Sequence, residues 1–138
     1  MAVDARDVAE RFRSVIESGD LDGFIGGLDE LATDDFVEEW PQSGERIRGK
    51  DRVRRLNESY RDATGTNPRF AFRRLHALGD TFVVEATIDY GDGTPVSYVG
   101  IGEVRDGKLA KMTEYFANPF EAPAWRADIV ERMEPAAV

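Results

Sequence analysis

The sequence predicts one α+β domain, in which helices are segregated from an antiparallel sheet. Three observations support this class. Helical spacing of apolar residues dominates the first half of the chain, and the alternation typical of strands dominates residues 69–117. The turns between those strands are rich in glycine and aspartate, which tolerate positive φ. At 138 residues the chain has the length of a single domain, and it contains no internal repeat.

Four helices are expected. The first covers about residues 4–18, and the second begins after its cap, Asp20. Three glycines weaken the second helix by about 1 kcal/mol each relative to alanine, so packing must stabilise it. The third covers about residues 50–62, and a closing helix begins near Pro123. In chain order their apolar positions are Ala5, Val8, Phe12, Val15, Ile16; Leu21, Phe24, Ile25, Leu28; Val53, Leu56, Tyr60; and Trp125, Ile129, Met133.

The first strand is predicted to end at Trp40, because a proline follows it. Alternation places Phe36, Glu38 and Trp40 on one face and Val37 and Glu39 on the other. An acid and an indole therefore share a face that is expected to point inward. The following residues are predicted to form a turn and then a glycine that leads into the third helix.

The second half of the chain is predicted to be a four-stranded antiparallel meander. Its strands are residues 69–78, 81–90, 95–105 and 109–117. Gly100 and Gly102 lie two apart in one strand, which suits a strong bend. A bent meander could wrap around the first helix and leave an open mouth.

Composition limits the classes of partner and cofactor. The net charge of -9 disfavours binding to nucleic acid. The basic cluster at residues 46–55 is interleaved with acids, and is interpreted as a solvated face. There is no cysteine and only one histidine, so neither a metal site nor a cofactor is predicted. No apolar run suits a membrane span or a secretory leader, so a cytoplasmic location is expected.

Several segments resemble a known family. They are Glu17–Leu21 at the first helix junction, Asp34–Gly49, Asp106–Leu109, Glu114–Phe116 and the run from Tyr115 to Arg126. With the order of elements, they make the chain similar to the nuclear transport factor 2-like fold, and the last run resembles a subgroup of SnoaL-like proteins. The family includes ketosteroid isomerases, limonene epoxide hydrolases, scytalone dehydratase and SnoaL-type polyketide cyclases. The resemblance implies a conical α+β barrel with an apolar pocket.

The same resemblance argues against ketosteroid isomerase activity. The tyrosine of that reaction falls on Phe12, its carboxylate base on Trp40, and its protonated acid near Ile101 or Gly102. None of these residues carries the required group. The Asp-Arg-Asp arrangement of the epoxide hydrolases has no convincing match at inward-facing positions.

Glu114 is the first candidate for catalysis, because it lies between apolar neighbours on the inward face of the last strand. Burial would raise the pKa of its carboxyl toward neutrality, as a general acid or base requires. SnoaL-type cyclases resemble this in carrying a carboxylate deep in the cone, although theirs is an aspartate. The alternative is a structural glutamate that pairs with Arg74 or accepts hydrogen bonds from Tyr60 or Tyr98.

Glu38 is the second candidate, because two carboxyls in one pocket can divide the acid and base roles. It could instead lie in water at the mouth or pair with Arg46 or Arg48. Which of Glu38 and Glu39 faces inward depends on the register of the strand.

The pocket is expected to accept a flat or polycyclic ligand, with Trp40 and Tyr98 as part of its wall. Plain core packing is an equal alternative for both. His76 is interpreted as a surface residue. The predicted lining residues are Phe12, Trp40, Tyr60, Tyr98, Met112 and Phe116.

The outer face of the sheet is too apolar to be only solvated, and relatives of this fold dimerise through that face, so a homodimer is expected. Its predicted residues are Val83, Glu85, Thr87, Val99, Ile101, Glu103, Thr113 and Tyr115. The expected function is acid/base isomerisation, cyclisation or dehydration of a small hydrophobic or aromatic molecule. A non-catalytic binding module and a dimeric interaction scaffold are the alternatives.

Overall fold

The computed structural model describes residues 5–134. The predicted start of the first helix, Asp4, lies outside them. The helices are Ala5–Glu17 (α1), Leu21–Leu31 (α2) and Lys50–Thr64 (α3). The strands are Ala32–Trp40 (β1), Glu45–Arg48 (β2), Arg69–Leu78 (β3), Thr81–Asp89 (β4), Val96–Arg105 (β5) and Lys108–Ala117 (β6). No helix in residues 5–134 is long and apolar enough to cross a membrane.

The six strands form one mixed sheet in the order β2-β1-β6-β5-β4-β3. Strands β3 to β6 are the predicted antiparallel meander, while β1 joins the edge of β6 in parallel. The α+β class is confirmed. Because β1 and β6 are neighbours, the inward side chains of both strands meet on the same face of the sheet.

The core lies between α1 and the inner face of the sheet. Phe12 is fully buried, and its ring centroid is 5.9 Å from that of Phe82. Gly102 makes room for this packing, because a Cβ atom there would lie 2.3 Å from the Phe82 ring. In α2, Gly27 allows close approach to α1, since its Cβ would lie 2.6 Å from a methyl group of Val15. The close packing of α2 on α1 thus explains why one of the three glycines of α2, Gly27, has no side chain.

Two predicted features differ from the structure. The residues after Trp40 form a tight turn and then a short strand, β2, which was not predicted. Strand β2 pairs with β1, and Gly44 in the turn between them has a φ of 76°. The closing helix is absent: only residues Ala124–Arg126 form one 3₁₀ turn. The side chains of Trp125, Ile129 and Met133 are each about four-fifths exposed, at 78%, 81% and 85%. A short helix with no surface to pack against is marginal in water, which explains the loss of the periodic pattern.

Candidate functional site

A cavity of about 480 Å³ lies between the helices and the inner face of the sheet. This volume is in the range of small-molecule sites. Its apolar wall consists of Ile16, Leu21, Phe24, Leu56, Pro68, Phe70, Ala86, Ile88 and Phe116. The remaining lining residues, which carry polar atoms, are Glu38, Trp40, Gln42, Ser43, Asn57, Tyr60, Tyr90, Tyr98 and Glu114. The cavity is therefore mostly apolar, with its ionisable groups limited to acids and tyrosines.

Strand β1 delivers Glu38 to this cavity. Phe36 and Glu38 are buried, at 0% and 4% exposed, while Glu39 faces the other side of the sheet. There Glu39 pairs with Arg46 at 2.6 Å and with Lys111 at 2.7 Å. The alternation expected along this strand is present, and it gives the two adjacent glutamates opposite environments.

Glu114 is held by hydrogen bonds to both of its carboxyl oxygens. Trp40 Nε1 donates to Oε1 at 3.0 Å, and the Tyr98 hydroxyl donates to Oε2. The parallel pairing of β1 with β6, which sets Glu38 opposite Met112, brings Trp40 beside Glu114. A carboxyl that accepts two hydrogen bonds is stabilised in its ionised form.

Gly100 gives Tyr98 the room for this bond. It is the partner of Glu114 across the β5–β6 ladder, and a Cβ atom there would lie 2.5 Å from the Tyr98 hydroxyl. The absence of a side chain on Gly100 thus lets the phenol lie over the strand and reach the carboxyl. The structural alternative with Arg74 does not occur, since Arg74 pairs with Glu85 instead.

Burial raises the pKa of the Glu114 carboxyl, and the hydrogen bonds from Tyr98 and Trp40 oppose this rise. For Glu38 burial raises the pKa well above its usual range, and the charge of Glu114 raises it further. No hydrogen-bond partner of the Glu38 carboxyl occurs within residues 5–134. The two carboxyls thus differ in their surroundings: two hydrogen bonds favour the ionised form of Glu114, whereas burial and the charge of Glu114 favour the protonated form of Glu38.

Two tyrosines beside the pair, Tyr90 and Tyr98, have raised pKa values. Burial raises the pKa of Tyr98 well above its ordinary value, and the adjacent Glu114 adds to the shift. Burial also raises the pKa of Tyr90, whose ring centroid lies 6.2 Å from that of Tyr60. The hydroxyls of Tyr90 and Tyr98 therefore keep their protons at neutral pH, and that of Tyr98 donates to Glu114.

Six of the eight candidate site residues line the cavity, namely Glu38, Trp40, Tyr60, Tyr98, Glu114 and Phe116. Phe12 and Met112 do not; each is 1% exposed and lies in the core below the cavity. Phe12 is held there by its contacts with rings of α2 and β4, and the end of Met112 lies over Gly100. His76 lies on the outer side of β3, opposite Val83, and is exposed.

Sequence reasoning missed several lining residues. Tyr90 follows Ile88 at the inward spacing of β4, so alternation could have identified it. Phe24 and Phe70, with ring centroids 5.0 Å apart, come from distant segments and were assigned only to core or strand. The side chain of Gln42 accepts a hydrogen bond from a backbone amide of β6 at 2.7 Å, a contact that no local pattern reveals.

No cluster of three or more acidic or histidine side chains among residues 5–134 is arranged to hold a metal ion.

Comparison with protein families gives one match: the sequence model of the SnoaL-like domain covers residues 9–115. No curated protein matches the chain significantly.

Solved structures provide further likenesses. A nuclear transport factor 2-like protein of unknown function from Burkholderia xenovorans is 31% identical, with a TM-score of 0.72 over 94% of this chain and 95% of that chain. A candidate ketosteroid isomerase from Kribbella flavida is 26% identical, with a TM-score of 0.78 over 95% and 90% of the two chains. An LEH-like epoxide hydrolase from M. tuberculosis is also 26% identical, with a TM-score of 0.58 over 81% of each.

Proposed function

The chain belongs to the SnoaL-like domain family of the nuclear transport factor 2-like superfamily, and on that premise we propose that it is an acid/base catalyst. The substrate is a small hydrophobic or aromatic molecule that binds in the cavity. The reaction is an isomerisation, cyclisation or dehydration, and the proton transfers are made by side chains. The observation that carries the proposal is the pair Glu38 and Glu114, two buried carboxyls that face one apolar cavity in different hydrogen-bond environments.

Glu38 has the features of the residue that moves the proton. Its protonated carboxyl can donate to an oxygen of the ligand, and the carboxylate so formed can then remove a proton from a neighbouring carbon. In an isomerisation these two transfers shift a double bond. In a dehydration the protonated oxygen leaves as water. In both cases Glu38 ends protonated, because the proton that it gives to oxygen is replaced by the one that it removes from carbon, so the cycle is balanced.

Glu114 is the fixed negative charge of the pair. Its two hydrogen bonds occupy both oxygens, so it acts through its field. Together with burial, the larger cause, that field raises the pKa of Glu38 and so favours its protonated form before the ligand enters. It would also stabilise positive charge that develops on the ligand during protonation.

The similar structures do not indicate which reaction this chain catalyses, since one is described as an isomerase and another as an epoxide hydrolase. Ketosteroid isomerase activity is not proposed for this chain. Phe12 has no hydroxyl and lies in the core, and Trp40 places an indole at the position expected for the base.

Proton transfer can be tested without knowing the substrate. An aromatic ketone such as 2-tetralone is incubated with the protein in heavy water, and exchange of its α-hydrogens is followed by proton NMR. The protein should accelerate the exchange, and Glu38→Gln should reduce the acceleration by about 100-fold, the scale of general acid/base catalysis. Glu39→Gln is the matched control, because that side chain lies on the other face of β1. Equal exchange by both variants would refute the role of Glu38.

A non-catalytic binding module is the second candidate, and the two hydrogen bonds on Glu114 favour it, because a structural glutamate would be held in the same way. In that case the cavity would bind aromatic molecules, and no ligand that it binds would show Glu38-dependent exchange. An interaction scaffold with a filled cone is less favoured, since the cavity is open.

We also infer that the protein is a homodimer that pairs through the outer face of the sheet. Val83, Ile101 and Thr113 are neighbours across β4, β5 and β6, and Val99 lies opposite Tyr115. These side chains are half-buried or exposed in the monomer. Thr87 is 1% exposed and so contributes no surface.

A further inference from the structure

We propose that the ligand of this cavity is a hydrophobic cation, an apolar or aromatic molecule that carries a positively charged nitrogen. The inference rests on the proposed function in one respect, because it takes the same cavity as the ligand site. It goes further in assigning the charge of the ligand. The observation that supports it is the combination, in one cavity, of acids without a basic partner and aromatic faces.

Among the described residues, the cavity is lined by acids and by no base. Glu38 and Glu114 both line it, and no lysine, arginine or histidine of residues 5–134 does so. Nearby arginines are paired elsewhere: Arg54 lies 3.0 Å from Asp29, and Arg61 lies 3.1 Å from Asp22. A buried carboxylate without a cationic partner is costly, and a positive ligand would supply that partner.

The position of the Glu38 carboxyl indicates where such a ligand would bind. Glu38 is 4% exposed, lines the cavity and has no hydrogen-bond partner within residues 5–134. Glu114 lies next to it, fixed by Trp40 and Tyr98. A cation that carries N–H groups could donate to Glu38, and any cation placed here would be attracted by Glu114.

The rest of the wall suits the apolar body and the charge of such a ligand. A cation over an aromatic face is attracted by the ring quadrupole, and the attraction is stronger where water is excluded. The net charge of -9 also favours the approach of cations over anions. The seven aromatic lining residues are Phe24, Trp40, Tyr60, Phe70, Tyr90, Tyr98 and Phe116.

Binding of a cation should release a proton. The titratable groups that face Glu38 are Glu114 from β6, Tyr98 from β5, Tyr90 after β4 and Tyr60 from α3, and none of them is basic. A bound positive charge would offset the repulsion between the two carboxylates, so Glu38 would ionise and, with a cationic ligand, would begin the proposed cycle as the base rather than as the acid. The affinity for a permanent cation should therefore increase as the pH rises through the titration of Glu38.

The test compares two ligands of the same shape, phenyltrimethylammonium and its neutral analogue tert-butylbenzene. A Trp125→Phe background leaves Trp40 as the only tryptophan, so its fluorescence reports binding in the cavity. The cation should bind at least about tenfold more tightly than the neutral analogue. Calorimetry in buffers of different ionisation enthalpy should show proton release, which Glu38→Gln should abolish.

Three variants make the result specific. Glu114→Gln should weaken binding of the cation relative to binding of tert-butylbenzene by about tenfold or more, and measurable binding of tert-butylbenzene would show that the variant is folded. Glu39→Gln should change neither ligand, because that carboxylate is paired on the outer face. Glu38→Gln should still bind the cation, without proton release.

Each other outcome has a defined meaning. Equal or tighter binding of tert-butylbenzene would overturn the inference and leave the proposed function standing. Cation binding that is insensitive to both Glu38→Gln and Glu114→Gln would also overturn it, because the cation would then lie elsewhere. Binding of neither ligand would overturn it too, while exchange of 2-tetralone, a neutral molecule, would still test the proposed function independently.

Discussion

The contrast between Glu38 and Glu39 shows how one backbone step determines the chemistry of a carboxyl. Glu38 is buried without a donor, and the pKa of its carboxyl is raised by burial and by Glu114. Glu39 is half-buried on the outer side, and hydrogen bonds from Lys111 and Arg46 lower the pKa of its carboxyl. The residue type is the same in both cases, so the direction of the shift comes only from the surroundings.

The first prediction concerns stability against pH. Because the pKa of Glu38 is raised in the folded state above the usual 4.5, its contribution is fully present below pH 4.5 and is lost as the pH rises through the folded value. The slope from one such group approaches about 1.4 kcal/mol per pH unit. Glu38→Gln should therefore flatten the decline in the free energy of unfolding above pH 4.5, measured by urea titration at several pH values.

Glu39→Gln is the control with the opposite sign. The pKa of Glu39 is lowered, so its contribution is present above its unfolded pKa and is lost as the pH falls. Removing the Glu39 carboxyl should therefore leave the decline in the free energy of unfolding above pH 4.5 unchanged. A decline of equal slope in wild type and Glu38→Gln would show that Glu38 is ionised in the folded protein, and would remove the proton donor from the proposed mechanism.

At the scale of elements, helix α2 has a sequence that conflicts with its own propensity. It contains Gly23, Gly26 and Gly27 within eleven residues, yet it forms because it packs between α1 and α3. Asp20 also caps it, accepting a hydrogen bond from the Gly23 amide at 2.8 Å. Tertiary contacts and one cap thus outweigh a weak intrinsic preference.

Two adjacent glycines of α2 give a matched prediction. A Cβ atom on Gly26 would meet no atom within 4 Å, whereas on Gly27 it would lie 2.6 Å from Val15 Cγ2. Gly26→Ala should therefore raise the free energy of unfolding by up to about 1 kcal/mol. Gly27→Ala should lower it by about 1–3 kcal/mol through overpacking. Urea unfolding measures both, and equal effects of the two substitutions would contradict the close contact between α1 and α2.

Strands β1 and β6 show how pairing creates a site. Parallel pairing sets Glu38 opposite Met112 and brings the indole of Trp40 to Glu114. A shift of one residue would move the inward set of β1 to the outer face. The charged side chains on the outer face stabilise the same register, because Lys111 reaches Glu39.

At the scale of the whole molecule, the exposed apolar outer face leads to the prediction of a homodimer. The wild-type protein should have twice its chain mass of 15.4 kDa in size-exclusion chromatography with light scattering at micromolar concentration. Ile101→Glu should give the monomer mass, because it places a charge at the centre of the face. A wild-type mass near 15.4 kDa would refute the dimer.

Leu78→Glu is the matched control for this experiment. Leu78 ends β3 and is 88% exposed, but it lies outside the patch formed by β4, β5 and β6. The substitution removes a similar apolar side chain and adds the same charge. It should therefore leave the mass unchanged, which separates a specific interface from general loss of apolar surface.

By itself the sequence determined the class of the fold, the order of its elements and most of their limits. The meander was predictable because turn residues and alternation are local properties, and β3 has the predicted bounds, Arg69–Leu78. The inward face of β1 was predictable for the same reason. The loss of the closing helix was not predictable from the sequence. The apolar residues Trp125, Ile129 and Met133 have helical spacing, but such a short segment forms a stable helix only where another surface packs against it.

Only the tertiary structure decided the division of roles within the candidate site. The sequence offered Glu114 and then Glu38 as candidate carboxyls, with Trp40 and Tyr98 as wall or core and Tyr98 also as an alternative hydrogen-bond donor to Glu114. The structure gives both donors to Glu114 and none to Glu38. The physical reason is that the pKa of a carboxyl depends on its hydrogen bonds and on its burial. The two donors to Glu114, Tyr98 and Trp40, are 16 and 74 positions away from it in the chain, so only folding brings them into contact.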